Sequence, residues 1–231
     1  IPKTVRFGSK VCAQYESNWY SGTGKAAPTD RPQPVFASNN VAFYKMTYAI
    51  IDSGVTGVDY EGFASTQFNT VVYAPTFKTI NQGAFMGGVL QTMFMAGTEM
   101  KTGFVDLGSL ETVITAYTFK NNKFSEIHLP ASVDTIGAEA FALVSSLKTL
   151  WCGNGEREEG VLNFKDSALT TIAGSSLTAV SKSKVTKIIL PDTCASIAAS
   201  AFDASKVSGI VVYQETMYNL DIKAQVEAFG M

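Results

Sequence analysis

Two apolar residues five positions apart, Ile-x4-Phe in the clearest copies, recur along this chain and carry their neighbours with them. The pairs are Val58/Phe63, Ile80/Phe85, Ile114/Phe119, Ile136/Phe141, Ile172/Leu177 and Ile197/Phe202. The stretch from Ile127 to Leu150 reads IHLPASVDTIGAEAFALVSSLKTL, and its sibling from Ile188 to Val212 reads IILPDTCASIAASAFDASKVSGIVV. Self-similarity at a period of roughly 20–50 residues implies structural units stacked on one another rather than one globular core.

The anchors are 22, 34, 22, 36 and 25 residues apart. Most units open with two apolar residues one apart: Val71/Tyr73, Val105/Leu107, Ile127/Leu129, Leu162/Phe164 and Ile188/Leu190. Such alternation predicts a short strand with one buried face. Pro130 and Pro191 follow directly, where a missing N–H ends a ladder at little cost. Three residues before the anchor stands another core candidate: Val55, Phe77, Val133, Leu169 or Cys194. A further one follows the Phe position, at Phe68, Leu90, Phe124, Leu147 or Val207. One unit alone buries too little apolar surface to fold, but stacked neighbours complete each other's core.

The two long spacings share a cause. AGTEMKTG (residues 96–103) and GNGEREEG (153–160) are both eight residues long and carry glycine near each end. Glycine suits tight chain reversal, so a protruding hairpin-like excursion is expected at each. Ala49, Val105 and Leu162 then open larger units 56 and 57 residues apart.

The motif I-x-L-P-x-x-V-x-x-I-G-x-x-A-F, carried by Ile127–Phe141 and more loosely by Ile188–Phe202, resembles the BspA-like (Treponema-type) leucine-rich repeats. The resemblance covers roughly residues 49–212, with Leu177 replacing the aromatic in the fifth copy. It implies a β-rich leucine-rich-repeat solenoid, a right-handed coil of about six repeats with short strands. It also implies export to the surface of a host-associated bacterium or protist, with an adhesive role as in some members of the family. The chain starts at Ile1 without a charged-then-apolar leader, which fits a cytosolic protein or one whose signal peptide is removed; the resemblance favours the second.

Residues 1–48 include the Gly- and Pro-rich stretch SGTGKAAPTDRPQP and are too few for an independent domain, so an N-terminal cap is expected there. IPKTVRFG at the very start echoes LPASVDTIG with one residue missing from the spacing. Residues 213–231 are expected to form a C-terminal cap with a short helix, on Met217, Leu220, Val226 and Phe229, stopped by Gly230.

Composition excludes several function classes. A net charge of −2 without a long basic run argues against a nucleic-acid backbone as partner. Apolar runs stay short of the roughly 18–20 residues that cross a bilayer. Cys152 and Cys194 fall at repeat positions held elsewhere by Leu129 and Val133, and read as small core residues; the state of Cys12 is open. Neither a disulfide framework nor metal-ligand spacing is present, and no cofactor is implied. SGTGKAA lacks the first glycine and the final Ser/Thr of a phosphate loop. GEREEG lacks calcium-loop spacing and reads as a solvated tip. His128, the one histidine, has no nucleophile or carboxylate that the sequence can assign to it, so no catalytic residue is named.

Strand alternation points a different set of residues outward: Val72, Phe94, Asp106, His128, Trp151, Asn163, Ile189 and Val211. Several are large and apolar where a solvent face should be polar. Phe94, Asp106, His128, Trp151, Asn163 and Ile189 are the candidate binding residues, with Phe94, His128 and Trp151 as an aromatic strip. Two arrangements stay open: an exposed row, or one covered by the caps or insertions. Two functions follow. One is a non-enzymatic binding module for a host or matrix protein, or a glycan. The other is a structural segment of a larger surface protein that self-associates through the same row.

Overall fold

The computed structural model describes residues 4–7, 47–58, 60–111, 114–215 and 220–231. Cys12 and the SGTGKAA stretch lie outside the described residues.

Fifteen strands build the described fold. Ten of them form one all-parallel sheet. These are β1 (Thr4–Phe7), β2 (Tyr48–Ile51), β4 (Thr70–Tyr73), β6 (Thr92–Met95), β7 (Phe104–Asp106), β8 (Glu126–Leu129), β10 (Thr149–Cys152), β11 (Val161–Asn163), β13 (Lys187–Leu190) and β15 (Val211–Gln214). They lie side by side in chain order. Alternation is the reason: β2, β4, β8 and β13 each alternate half-buried and buried residues, so one face of every strand must be covered.

The opposite layer is made of the Ile anchors. Two-residue strands β3 (Gly57–Val58), β5 (Thr79–Ile80), β9 (Thr135–Ile136), β12 (Thr171–Ile172) and β14 (Ser196–Ile197) carry them. Val58 pairs with Ile80, Ile114 with Ile136, Ile136 with Ile172, and Ile172 with Ile197, all parallel. Ile114, Ile136 and Ile172 are buried almost to the last atom. The core thus lies between a main sheet and a far layer, each residue stacked on its repeat equivalent.

The Phe position follows through a chain of tight turns, not a helix. Phe63, Phe85, Phe119 and Phe141 donate their N–H groups to the next turn, at Ala84, Thr118, Ala140 and Ser176. Their rings stack as the backbones do: Phe85 and Phe119 lie 5.8 Å apart at 9°, Phe119 and Phe141 5.8 Å apart at 12°. These turns need left-handed backbone at fixed places, filled by Gly83 and Gly87 in one unit but by Tyr117 and Asn121, or Glu139 and Leu143, in others. At the chain's end, helix α1 (Ala204–Val207) precedes β15, and helix α2 (Leu220–Glu227) packs on β14. Phe229, just beyond α2, meets Phe202 edge-on at 5.5 Å.

The two insertions are exposed, at residues 96–102 and 156–159, but they join parallel strands and so are not antiparallel hairpins. Met93 pairs with Val105 and Leu150 with Leu162 in parallel register, so each insertion returns the chain to the start of the next strand. Eight residues are fewer than the dozen or so that such a parallel connection usually takes. Each achieves the return with two tight turns: Thr98 N–H to Met95 O and Phe104 N–H to Lys101 O in the first, Gly155 N–H to Cys152 O and Val161 N–H to Glu158 O in the second. The same bond closes both short turns: Gly103 donates to Thr92 Oγ1 at 3.2 Å, and Gly160 to Thr149 Oγ1 at 3.4 Å. Both threonines are buried at the head of their strand. Consequently β6 and β10 join the main sheet without contributing an anchor to the far layer.

Candidate functional site

The outer row of the main sheet is continuous in register. Ile50, Val72 and Phe94 lead to Asp106, His128, Trp151, Asn163, Ile189 and Tyr213 on successive strands. The last member is Tyr213, because Val212 and not Ile210 lies opposite Ile188; Val211 stands one row back, opposite Lys187.

Phe94, Asp106, His128, Trp151 and Ile189 are each half-buried. The second short turn supplies part of the cover. Arg157 reaches back across the sheet and grips the Glu126 carboxylate with two parallel bonds of 2.9 and 2.8 Å, the geometry that makes a guanidinium–carboxylate pair rigid. Lys148 meets Glu159 at 2.6 Å, and Lys187 meets Glu158 at 4.0 Å. GEREEG is therefore tied to neighbouring strands by its charged side chains, while residues 156–159 stay solvent-exposed as the sequence suggests. Asn163 is 7% exposed beneath it; its amide donates to Glu156 O at 3.1 Å, and its Oδ1 accepts from Lys165 N–H at 3.0 Å.

The aromatic cluster differs from the expected strip. Trp151 stacks on His128 at 5.0 Å and 12°, and on Phe104 at 5.2 Å and 16°. Phe104, not Phe94, is the third ring, contributed by the neighbouring outward row. Alternation alone could have found it, since Phe104 precedes the inward Val105.

His128 is fixed from both sides. Its Nδ1 lies 3.0 Å from Asp106 Oδ1 and its Nε2 2.8 Å from the Gly153 carbonyl oxygen. Both neighbours only accept, so both ring nitrogens must donate and the imidazolium form is favoured. Burial alone would lower the His128 pKa. The Asp106 hydrogen bond, the Gly153 carbonyl and the Asp106 charge outweigh it and hold the value above the ordinary one. For Asp106, burial would raise the pKa, but the bonds from His128 and the Gly108 N–H, with the imidazolium charge, bring it below. Asp106 is steadied further by Gly108 N–H at 3.0 Å, and Tyr73 donates to the Asp106 carbonyl at 2.9 Å. Among the described residues no nucleophile is hydrogen-bonded to His128, and no group of three or more His, Cys, Asp and Glu could hold a metal.

Cys152 and Cys194 are free and buried, as their repeat positions require. Burial is the main reason their thiols are pushed up to about 12 and about 11 respectively. No helix among the described residues is long and apolar enough to cross a membrane.

A parallel main sheet, a far layer of stacked Ile anchors and a Phe ladder define a leucine-rich-repeat solenoid. The chain belongs to the BspA type leucine rich repeat region family, whose model matches residues 3–96 and 112–221 in six copies. Three solved structures are similar to it. The pneumococcal vaccine antigen PcpA is 20% identical over 74% of this chain and 34% of its own, with a TM-score of 0.41. A leucine-rich repeat protein from Eubacterium ventriosum is 17% identical over 74% of this chain and 54% of its own, with a TM-score of 0.44. A leucine rich cell surface protein from Faecalibacterium prausnitzii is 16% identical over 74% of this chain and 61% of its own, with a TM-score of 0.25. The matches thus take in less than two thirds of each of those chains. Among the curated proteins none matches.

Proposed function

We propose that this repeat chain is a non-enzymatic binding module, displayed outside the cell or on its surface, that recognises a protein or glycan through the outer face of its main sheet. The observation that carries the reading is the half-exposed Phe104–Trp151–His128 stack. Its rings are already held by stacking and by the His128 hydrogen bonds. A partner that lands on them therefore loses little further side-chain entropy, which is the property of an interface anchor. Asp106 and Ile189 flank the stack as polar and apolar rim; Phe94 extends the row toward the first short turn.

The test is Trp151→Ala, assayed for binding of the labelled chain to immobilised matrix proteins and to a printed glycan array. An anchor's loss should weaken binding by about 2 kcal/mol or more, while the melting transition stays cooperative. Unchanged affinity for every bound partner would refute the reading. A second reading, self-association within a larger surface protein, is favoured by Val211, 62% exposed on the last strand; it requires a mass by light scattering that rises with concentration.

A further inference from the structure

We propose that the groove between the second short turn and the last two strands of the main sheet is a binding site for a neutral saccharide; this rests on the reading of the outer face as a recognition surface. Two adjoining depressions, about 390 and 240 Å³, share Lys165, Asp166, Ile189 and Tyr213. The larger is at the lower end of the range for small-ligand sites, roughly 300–1,000 Å³.

The chemistry of its walls selects the ligand class. Tyr213 is 41% exposed and lies in register beside the half-buried Ile189, giving an apolar floor for the C–H face of a sugar ring. Around that floor stand acceptors and donors together. Asp166 and Glu156 supply carboxylates, Asn154 an amide, and Lys165 and Lys187 ammonium groups. A hydroxyl both donates and accepts, so a polyol needs such a mixture. An anionic ligand is less well matched, because both cations already have partners: Lys165 meets Glu215 at 3.1 Å and Lys187 meets Glu158 at 4.0 Å. The wall is also preformed. Asn163 ties the carbonyl of Glu156 to the sheet from beneath, so the groove does not need to be ordered on binding.

The labelled chain on a printed array of neutral and acidic glycans, followed by saturation-transfer NMR with the best neutral sugar, decides the matter. Neutral glycans should bind, with transfer strongest to ring C–H protons. Tyr213→Ala should weaken that sugar by about tenfold or more, and Asp166→Asn should also weaken it, both at unchanged melting temperature because both side chains are exposed. An array bound only by acidic glycans overturns the proposal, as does a Tyr213→Ala variant with wild-type affinity. Sugar binding lost in Trp151→Ala but kept in Tyr213→Ala moves the site to the ring stack and overturns the groove. Trp151-dependent binding of a protein without any array signal overturns the groove and leaves the outer-face reading standing. A chain that binds neither sugar nor protein overturns both.

Discussion

Gly108 is where a single methyl group tests the architecture of the outer face. A Cβ added there would lie 2.1 Å from Cε1 of His128, 2.4 Å from Nδ1 and 2.8 Å from Nε2. The backbone at Gly108 is outside the left-handed region, so Gly108→Ala has a purely steric cost. The ring must swing away, giving up the bond to Asp106, the bond to Gly153 and the stack on Trp151. Hydrogen bonds to charged groups contribute about 1.5–3 kcal/mol each. Here the His128 and Asp106 side chains are 22% and 29% exposed, and solvent screening reduces each to about 1 kcal/mol. With about 0.5–1 kcal/mol for the stack, the expected loss is about 2–3 kcal/mol in urea denaturation. The same change in a His128→Ala background meets no ring. It should be near neutral, or stabilising by about 0.4–1 kcal/mol through the unfolded state. The coupling energy of the cycle is therefore the measurement. Equal cost in both backgrounds would refute the argument, because Gly108 would then matter for a reason other than His128.

Two further outcomes concern His128 with Asp106, and Leu143. The raised His128 pKa contributes stability that is complete below its ordinary 6.5 and lost as pH climbs through the folded value; the lowered Asp106 pKa contributes stability complete above its ordinary 3.8 and lost as pH falls through the folded value. Urea midpoints should therefore be highest between those limits and fall toward alkaline pH, and His128→Gln should flatten the alkaline decline; an unchanged decline would contradict the assignment. Leu143 is 58% exposed at φ 64°, where Gly87 stands in the equivalent turn at φ 69°. Leu143→Gly should stabilise by up to about 1 kcal/mol, read as a raised melting temperature; a lowered one would show that the turn carries no strain.

The far layer and the core were legible because a repeat displays the same physical demand several times. Every anchor must be large and apolar, so Val58, Ile136 and Ile197 announce one another, and Cys152 and Cys194 are identified by what stands in their places elsewhere. The outer face obeys a weaker rule. Alternation tells which way a residue points but not what lies over it, and burial of Asn163 depends on a loop whose path is fixed by Arg157 and Glu126, 31 residues apart. Phe104 escapes the pattern for a different reason: it lies outside the pair of inward positions, Val105 and Leu107, although a strand's first residue faces outward as well. The slip from Tyr213 to Val211 arose because Ile210 and Val212 are both apolar, and only pairing with β13 decides between adjacent frames.

The two short turns share a skeleton and differ in use. Both are closed by a glycine N–H on a buried threonine, so both are legitimate turns of the coil. Yet among the described residues the first ties its charges to itself, Lys101 to Glu99 at 3.9 Å, and leaves Met100 53% exposed. The second spends Arg157, Glu158 and Glu159 on partners in or beside three other strands. That difference decides where a partner can bind with least ordering cost. Gly153 at the head of the second turn holds His128 and so the ring stack, while Glu156 in its middle forms the wall of the groove. One tethered turn thus builds two neighbouring surfaces on an otherwise repetitive sheet, and the untethered one builds neither. Gly153 and Glu156 are each held to the sheet by bonds of their own, Gly153 N–H on the Leu129 carbonyl and the Asn163 amide on the Glu156 carbonyl, so each surface keeps its anchor without Arg157.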